Sequence, residues 1–294
     1  MSTAKAVTDM SCRKSKEKGR SGFFLLKLLR NLFLLIIIGI SVLPFIWILV
    51  SSFKTNAEIL ESALTLPSNW SFEGYINAFK LSPLHKFYIN SLIISISSTL
   101  LNVFLVGMAA YVLARFEFKM KNGILLILSL SLLLPMTSLI HPVYMTIRKI
   151  GLYDTKIGLI LVYTALGLPS SLYILRSYFL SIPKSIEEAA YVDGAGFFRT
   201  YVEIILPIAK PGLATAAVLQ FLLSWNEFLY AVVLTNSQSN RTVPVALSYF
   251  TSQFSFNYTA MFAAIVMVSI PSIIAYVILQ EQVVSSLTAG SVKG

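Results

Sequence analysis

The 294-residue chain is 56% hydrophobic and 12% charged, with a mean hydropathy of +0.76, which leaves too little polar surface to coat a soluble domain. The net charge of +10 would suit a nucleic-acid partner, but much of it precedes the first long apolar run, in Arg13, Lys14, Lys16, Lys18 and Arg20. There it reads as a topology and lipid-headgroup signal, with a disordered tail of no further role as the alternative, while the single cysteine, Cys12, excludes an internal disulfide and the isolated His85 and His141 lack metal-ligand spacing.

A helix that crosses a bilayer needs about 20 mainly apolar residues. Six such stretches are predicted, at roughly 31–51, 88–112, 123–147, 157–180, 208–234 and 259–281. The fold expected is an all-α polytopic membrane protein: a basic tail over 1–30, a six-helix transmembrane domain over 31–281, and a C-terminal tail over 282–294. Leu32 to Val50 is long for a signal-peptide core and no small-residue cleavage site follows it, so it is read as the first span. With the N-terminus inside, the cytoplasmic segments hold 16 Lys and Arg and the outer ones 7, which predicts that both termini are cytoplasmic. Arg148, Lys149 and Lys156 on an outer loop run against that trend.

After the first span, Ser52 to Phe87 carries Trp70, Phe72, Tyr75 and Phe79. The spacing predicts short helices on the membrane surface or against the bundle, with a plain connector as the alternative. Arg176, at the end of the fourth span, is expected to snorkel to the inner interface.

Between the fourth and fifth spans, 181–210 is too polar to enter lipid and predicts a helix, a turn and a second helix. Pro183 can open the first helix, Ser185 with Glu188 matches a capping box, and Ile186, Ala189 and Ala190 share a face at helical spacing. Asp193 to Gly196 breaks the helix, because glycine takes positive φ freely. Phe197 to Glu203 can form the second helix, and Pro207 and Pro211 mark the entry to the fifth span. An exposed helical hairpin with alanines suits insertion into a partner's groove.

In the fifth span, Glu227 is the one acid well inside an apolar run, with Trp225 and Asn226 beside it. Facing lipid would cost roughly 2.5 to 3.5 kcal/mol, so the carboxylate is expected to face a polar cavity or a partner group. Sugar contact and structural pairing both satisfy that requirement. No paired carboxylates, His cluster or nucleophile-base set lies in the spans, so no catalytic residue is assigned. The chain also lacks the Gly-rich loop with Lys-Ser or Lys-Thr that cradles nucleotide phosphates.

The 181–210 stretch resembles the EAA loop of ABC-importer permeases, whose pattern is Glu-Ala-Ala, three residues, Gly, nine residues, Ile, one residue, Leu-Pro. Glu188, Ala189, Ala190, Gly194, Ile204, Leu206 and Pro207 match it throughout. The run Ala109 to Lys119, Trp225-Asn226-Glu227-Phe228 and the ending Leu287 to Gly294 are similar to the carbohydrate-uptake members, of the maltose-transporter type. The resemblance implies that this chain is one of two permeases forming a path for a sugar or oligosaccharide in a bacterial or archaeal cell membrane. It further implies a solute-binding protein outside and two cytoplasmic ATPases that hold ATP and Mg, with no cofactor on this chain. Glu188 would then pair with a basic residue of an ATPase cleft, Ala189 and Ala190 would pack there, and Gly194 would permit the turn. Capping and docking compete for the same Glu188 side chain. By the same resemblance Gly290, Lys293 and Gly294 touch the ATPases, with a frayed tail as the alternative; Trp225, Asn226 and Glu227 are candidates for the substrate path, because an aromatic face stacks on a sugar ring and a carboxylate accepts from sugar hydroxyls. Polyols, glycerol phosphate esters and peptides stand as alternative cargoes, and an ion-coupled secondary transporter as the rival class.

Overall fold

The computed structural model describes residues 3–252 and 255–291, with side chains placed for 27–250, 257–278 and 280. Helix α1, Thr3–Ser51, carries the basic stretch and the first apolar run as one helix. Every side chain from 27 to 46 is exposed, and a helix apolar all round belongs in lipid or against another protein. It joins the rest at its far end, where Trp47 meets Phe262 edge-on at 5.2 Å and its indole N–H donates to the Ala63 carbonyl at 2.6 Å.

Two short helices follow, α2 (Asn56–Glu61) and α3 (Glu73–Leu81). Thr55 and Glu58 form a reciprocal capping box at α2, and the Thr55 N–H together with Ser68 pulls the Glu58 carboxyl down to about 2. Phe53 gathers Trp70, Phe72 and Tyr75 at ring separations of 5.3 to 5.6 Å. A Cβ at Gly74 would lie 2.5 Å from the Thr259 methyl and 2.9 Å from its carbonyl, so α3 rests on the bundle.

The bundle is held by α4 (Leu84–Arg115), α7 (Lys156–Ser181), α11 (Lys210–Asn226) and α14 (Tyr258–Ser291). On α4 the buried row runs Ser91, Ser95, Ser98, Asn102, Val106, Ala110, and the exposed row Ile89, Ile93, Ile96, Leu100, Phe104, Met108. Small and polar residues inward, large apolar ones outward, is the pattern of a membrane helix, where close backbone approach and interhelical hydrogen bonds replace hydrophobic burial. Asn102 Nδ2 donates to the Thr164 carbonyl at 2.9 Å, Ser98 and Ser224 share a hydrogen bond of 2.9 Å, and Gln220 Nε2 donates to the Tyr163 carbonyl at 2.9 Å and to Ser224 at 3.1 Å. A polar layer thereby ties α4, α7 and α11 together.

Four helices are long and apolar enough to cross a membrane among the described residues, over 27–51, 84–115, 156–181 and 258–278; two bent pairs bring the number up to six. The third expected span is not one straight helix. Helix α5 (Lys121–Leu133) stops before Pro135, and α6 (Ile140–Lys149) departs at 102° after a 3-10 turn. Leu134 precedes a proline and is extended, with ψ 124°, because the pyrrolidine ring disfavours helical backbone in the residue before it. Thirteen residues rise only about 20 Å, too little to cross a hydrocarbon core of about 30 Å.

At the far end of α7, Asp154 takes a φ of +55° and its Oδ1 accepts from the backbone N–H groups of Asn236 (2.9 Å) and Ser237 (3.0 Å). Burial pushes this carboxyl up, but the hydrogen bonds from Asn236, Ser237 and Asn240 outweigh it and hold the group below its usual value. A depressed carboxyl contributes stability above its unfolded pKa, near 4, and loses it as pH falls through the folded one. Amide exchange over 236–240 is therefore expected to stay flat from neutral pH down to about 5, once corrected for intrinsic rates, and to rise below about 4. In Asp154→Asn the loop should exchange fast at neutral pH too; protection equal to wild type there would contradict the assignment.

Candidate functional site

The elbow between α7 and α11 opens with α8, Ser185–Val192, whose N-cap is Lys184, so Pro183 precedes the helix instead of occupying its first turn. The expected capping box is not formed: the helix begins at Ser185 itself, its N-cap Lys184 makes no side-chain cap, and Glu188 is exposed. Starting one residue early places Ser185 inside the first turn, where its hydroxyl cannot act as a cap. The C-terminal end follows the expectation for glycine. Gly194 has φ +81°, its N–H donates to the Tyr191 carbonyl at 3.1 Å, and the Ala195 N–H donates to the Ala190 carbonyl at 2.9 Å, the two bonds of a Schellman motif. The second arm is longer than expected, running through α9 (Phe197–Arg199), a π turn (Thr200–Ile205) and α10 (Leu206–Ile208) before meeting α11 at 75°.

The faces of α8 divide differently from the expected row of Ile186, Ala189 and Ala190. Ile186 and Ala190, four apart, turn inward with Glu187, whereas Glu188 and Ala189 are exposed beside Tyr191 and Val192. Val192 is 87% exposed, next to the exposed Tyr191. Gly194 and Pro207 are exposed, and Ile204 and Leu206 are half-buried where the second arm returns to the bundle.

Sequence reasoning passed over Glu187. Its Oε1 lies 2.5 Å from Arg115 Nε, with both side chains almost wholly buried, and its Oε2 accepts from the Tyr111 hydroxyl at 3.3 Å. Arg115 Nη2 also donates to the Ile182 carbonyl at 2.9 Å. The available signal was the acid doublet Glu187-Glu188 together with a lone Arg115 at the end of a span; nothing local said which acid turns inward. Arg176 likewise has a specific partner, donating from Nε to the Leu113 carbonyl at 3.3 Å, rather than only reaching for the interface.

Glu227 does not sit within a continuous helix. α11 ends at Asn226, Glu227 is extended with ψ 126°, and α12 (Leu229–Leu234) follows. Its Oε1 accepts from the Tyr230 N–H at 2.8 Å, and its Oε2 from the Ala231 N–H at 3.0 Å and the Tyr163 hydroxyl at 2.8 Å. The carboxylate thus satisfies the bare donors at the start of α12. Trp225, beside it in sequence, is fully buried, stacks on Phe221 at 5.7 Å and donates its indole N–H to the Val268 carbonyl at 3.0 Å. Asn226 alone of the three lines a cleft of about 470 Å³, with Phe228, Pro244, Leu247, Ser248 and Val268. Pro244 and Leu247 belong to α13, Val243–Leu247. Trp225, Asn226 and Glu227 therefore face three different surroundings. Lys293 and Gly294 lie outside the described residues, as do the surroundings of Gly290.

Residues 103–287 match the family described as the inner membrane component of binding-protein-dependent transport systems. The chain is 37% identical to the diacetylchitobiose uptake system permease protein NgcG of Streptomyces coelicolor, over 86% of this chain and 84% of that protein. It is also 37% identical to the trehalose transport system permease protein SugB of Mycobacterium tuberculosis, over 88% of this chain and 95% of that one. In fold it resembles a chain of a bacterial ABC transporter that imports the acidic polysaccharide alginate, with a TM-score of 0.76 and 24% identity over 87% of this chain and 96% of that chain.

Proposed function

The chain belongs to the inner membrane components of binding-protein-dependent transport systems, the permease subunits of ABC importers, and from that premise we propose that it forms half of a sugar path worked by partner ATPases seated on its elbow. Such subunits are transporter components rather than enzymes, so ATP and Mg would be held by the cytoplasmic partners. A second permease would complete the path, and a solute-binding protein would deliver the cargo from outside. Both termini would face the cytoplasm, with Gly290, Lys293 and Gly294 reaching the ATPases.

The observation that carries this reading is the outward face of the elbow, where the exposed Glu188, Ala189 and Val192 stand on a hairpin whose inner face is tied down. Ala190 lies on that inner face, so within the EAA pattern Glu188 and Ala189 would do the docking, while Gly194, Ile204, Leu206 and Pro207 shape the turn and its return. The cleft beside Asn226, of about 470 Å³, falls within the usual range of roughly 300 to 1,000 Å³ for small-molecule sites. The relatives named for diacetylchitobiose and trehalose transport favour a sugar or oligosaccharide over a polyol, glycerol phosphate ester or peptide. The ion-coupled rival loses its support with the family.

The test is purification of the chain with its partners from native membranes, followed by ATP turnover with candidate sugars and binding protein. Glu188→Ala is expected to insert normally and to abolish sugar-stimulated turnover, since stripping one member from a desolvated ion pair costs roughly 3 to 5 kcal/mol. Full stimulation in that variant would overturn the docking role, and stimulation by a peptide or polyol alone would reassign the cargo.

A further inference from the structure

The two adjacent acids of the elbow have opposite fates: Glu188 is exposed, and Glu187 is buried against Arg115 at the end of α4. We propose that the Arg115–Glu187 pair is the joint through which movement of the elbow enters the membrane bundle, which makes both of them positioning residues for transport. The proposal rests on the reading that the elbow is the seat of an ATPase.

Much of the remaining contact between elbow and α4 is apolar and aromatic. Tyr111 packs on Tyr201 at 4.8 Å and on Phe197 at 5.7 Å, and such apolar faces can slide over one another at little cost. The ion pair cannot. Its side chains are 4% and 9% exposed, and parting them would leave two charges in a place poor in water. The same guanidinium donates to the Ile182 carbonyl at 2.9 Å, where α7 hands over to the elbow, so one side chain grips the elbow at its root and at its first turn. From Arg115, α4 runs back to Asn102 and Ser98, whose hydrogen bonds reach α7 and α11. Displacement of α8 thereby has a stiff route to the centre of the bundle, while Glu188 keeps its carboxylate outward for the partner.

The experiment uses the complete transporter in proteoliposomes, loaded with binding protein and sugar. Glu187→Gln is expected to keep its ATPases on purification and to hydrolyse ATP, while uptake per ATP falls by about tenfold or more. Arg115→Glu alone should behave the same way, and the exchange Arg115→Glu with Glu187→Arg should recover about half of the lost ratio, because the pair rather than either charge is what counts. Should Glu187→Gln fail to insert, Tyr111→Phe, which removes only the 3.3 Å hydrogen bond to that carboxylate, is expected to lower uptake per ATP by roughly twofold to threefold. Spin labels at Val202→Cys on the second arm and Met120→Cys, both exposed and both outside the outward face of α8, in a Cys12→Ser background, give a direct reading. The distance should shift sharply on ATP binding in the parent, and should broaden and stop responding in Glu187→Gln. A wild-type ratio in Glu187→Gln or Tyr111→Phe, loss of the ATPases from Glu187→Gln, or an exchange variant no better than the single ones would each overturn the joint. Coupling retained in Glu188→Ala would instead sink the elbow reading, so the two failures are told apart.

Discussion

Gly167→Ala is expected to lower the stability of the detergent-purified protein by about 2 to 4 kcal/mol, and Gln220→Ala added to it should restore part of the loss. A Cβ built on Gly167 would lie 1.6 Å from Gln220 Oε1 and 2.7 Å from its Cδ, so the carboxamide fills the space that every other residue type needs. The end of a flexible side chain can ordinarily step aside. Here it cannot do so freely, because Gln220 is 1% exposed and its Nε2 donates to the Tyr163 carbonyl and to Ser224. Moving it breaks the Tyr163 bond that joins α7 to α11, frees Ser224 within α11, and forces the helices apart at the level where α4 also joins them. Gln220→Ala alone should cost less than Gly167→Ala, and the double variant should melt above the glycine variant. A double variant that melts at or below the Gly167→Ala temperature would show that the carboxamide is not what the new methyl meets.

How much of this was legible in the sequence depends on the range of the interaction. Gly194 could be read directly, because a glycine after a helical run and before a second one is the residue that takes positive φ, and it does so here at +81°. The kink after α5 was also present locally, in Leu134-Pro135, but the mainly apolar composition from 123 to 147 masks it. Composition registers which side chains tolerate lipid; it does not register where a missing N–H ends the ladder. The elbow's pattern could be matched residue by residue, yet its inward partner could not, since Arg115 and Glu187 meet only once α4 and α8 are packed. For the same reason the capping box at Ser185 was a fair local inference that lost by a single residue of helix register. Gly167 and Gln220 belong to the least legible class: nothing at either position announces that one side chain occupies the space another residue lacks.

Glu227→Leu is expected to be the other severe change, lowering stability by about 3 to 6 kcal/mol and removing most of the permease from the membrane. The carboxylate accepts from two backbone N–H groups at the start of α12 and from the Tyr163 hydroxyl. Leucine leaves all three donors without a partner in a region where water is scarce. Each such loss costs roughly 1 to 3 kcal/mol, and the sum is smaller than three independent penalties because α12 can fray and share the damage. Glu227→Gln should fall between the parent and Leu, since a carboxamide offers one acceptor oxygen where the site uses two, and its amino end would face a donor. Sugar uptake separates this structural role from direct contact with cargo. If the carboxylate holds the break between α11 and α12, the surviving Glu227→Gln protein transports with an unchanged KM and a reduced maximal rate, in step with a lowered Tm. A raised KM at unchanged Tm would place the group on the sugar instead, and would make the hydrogen bonds to Tyr163, Tyr230 and Ala231 incidental to what Glu227 does.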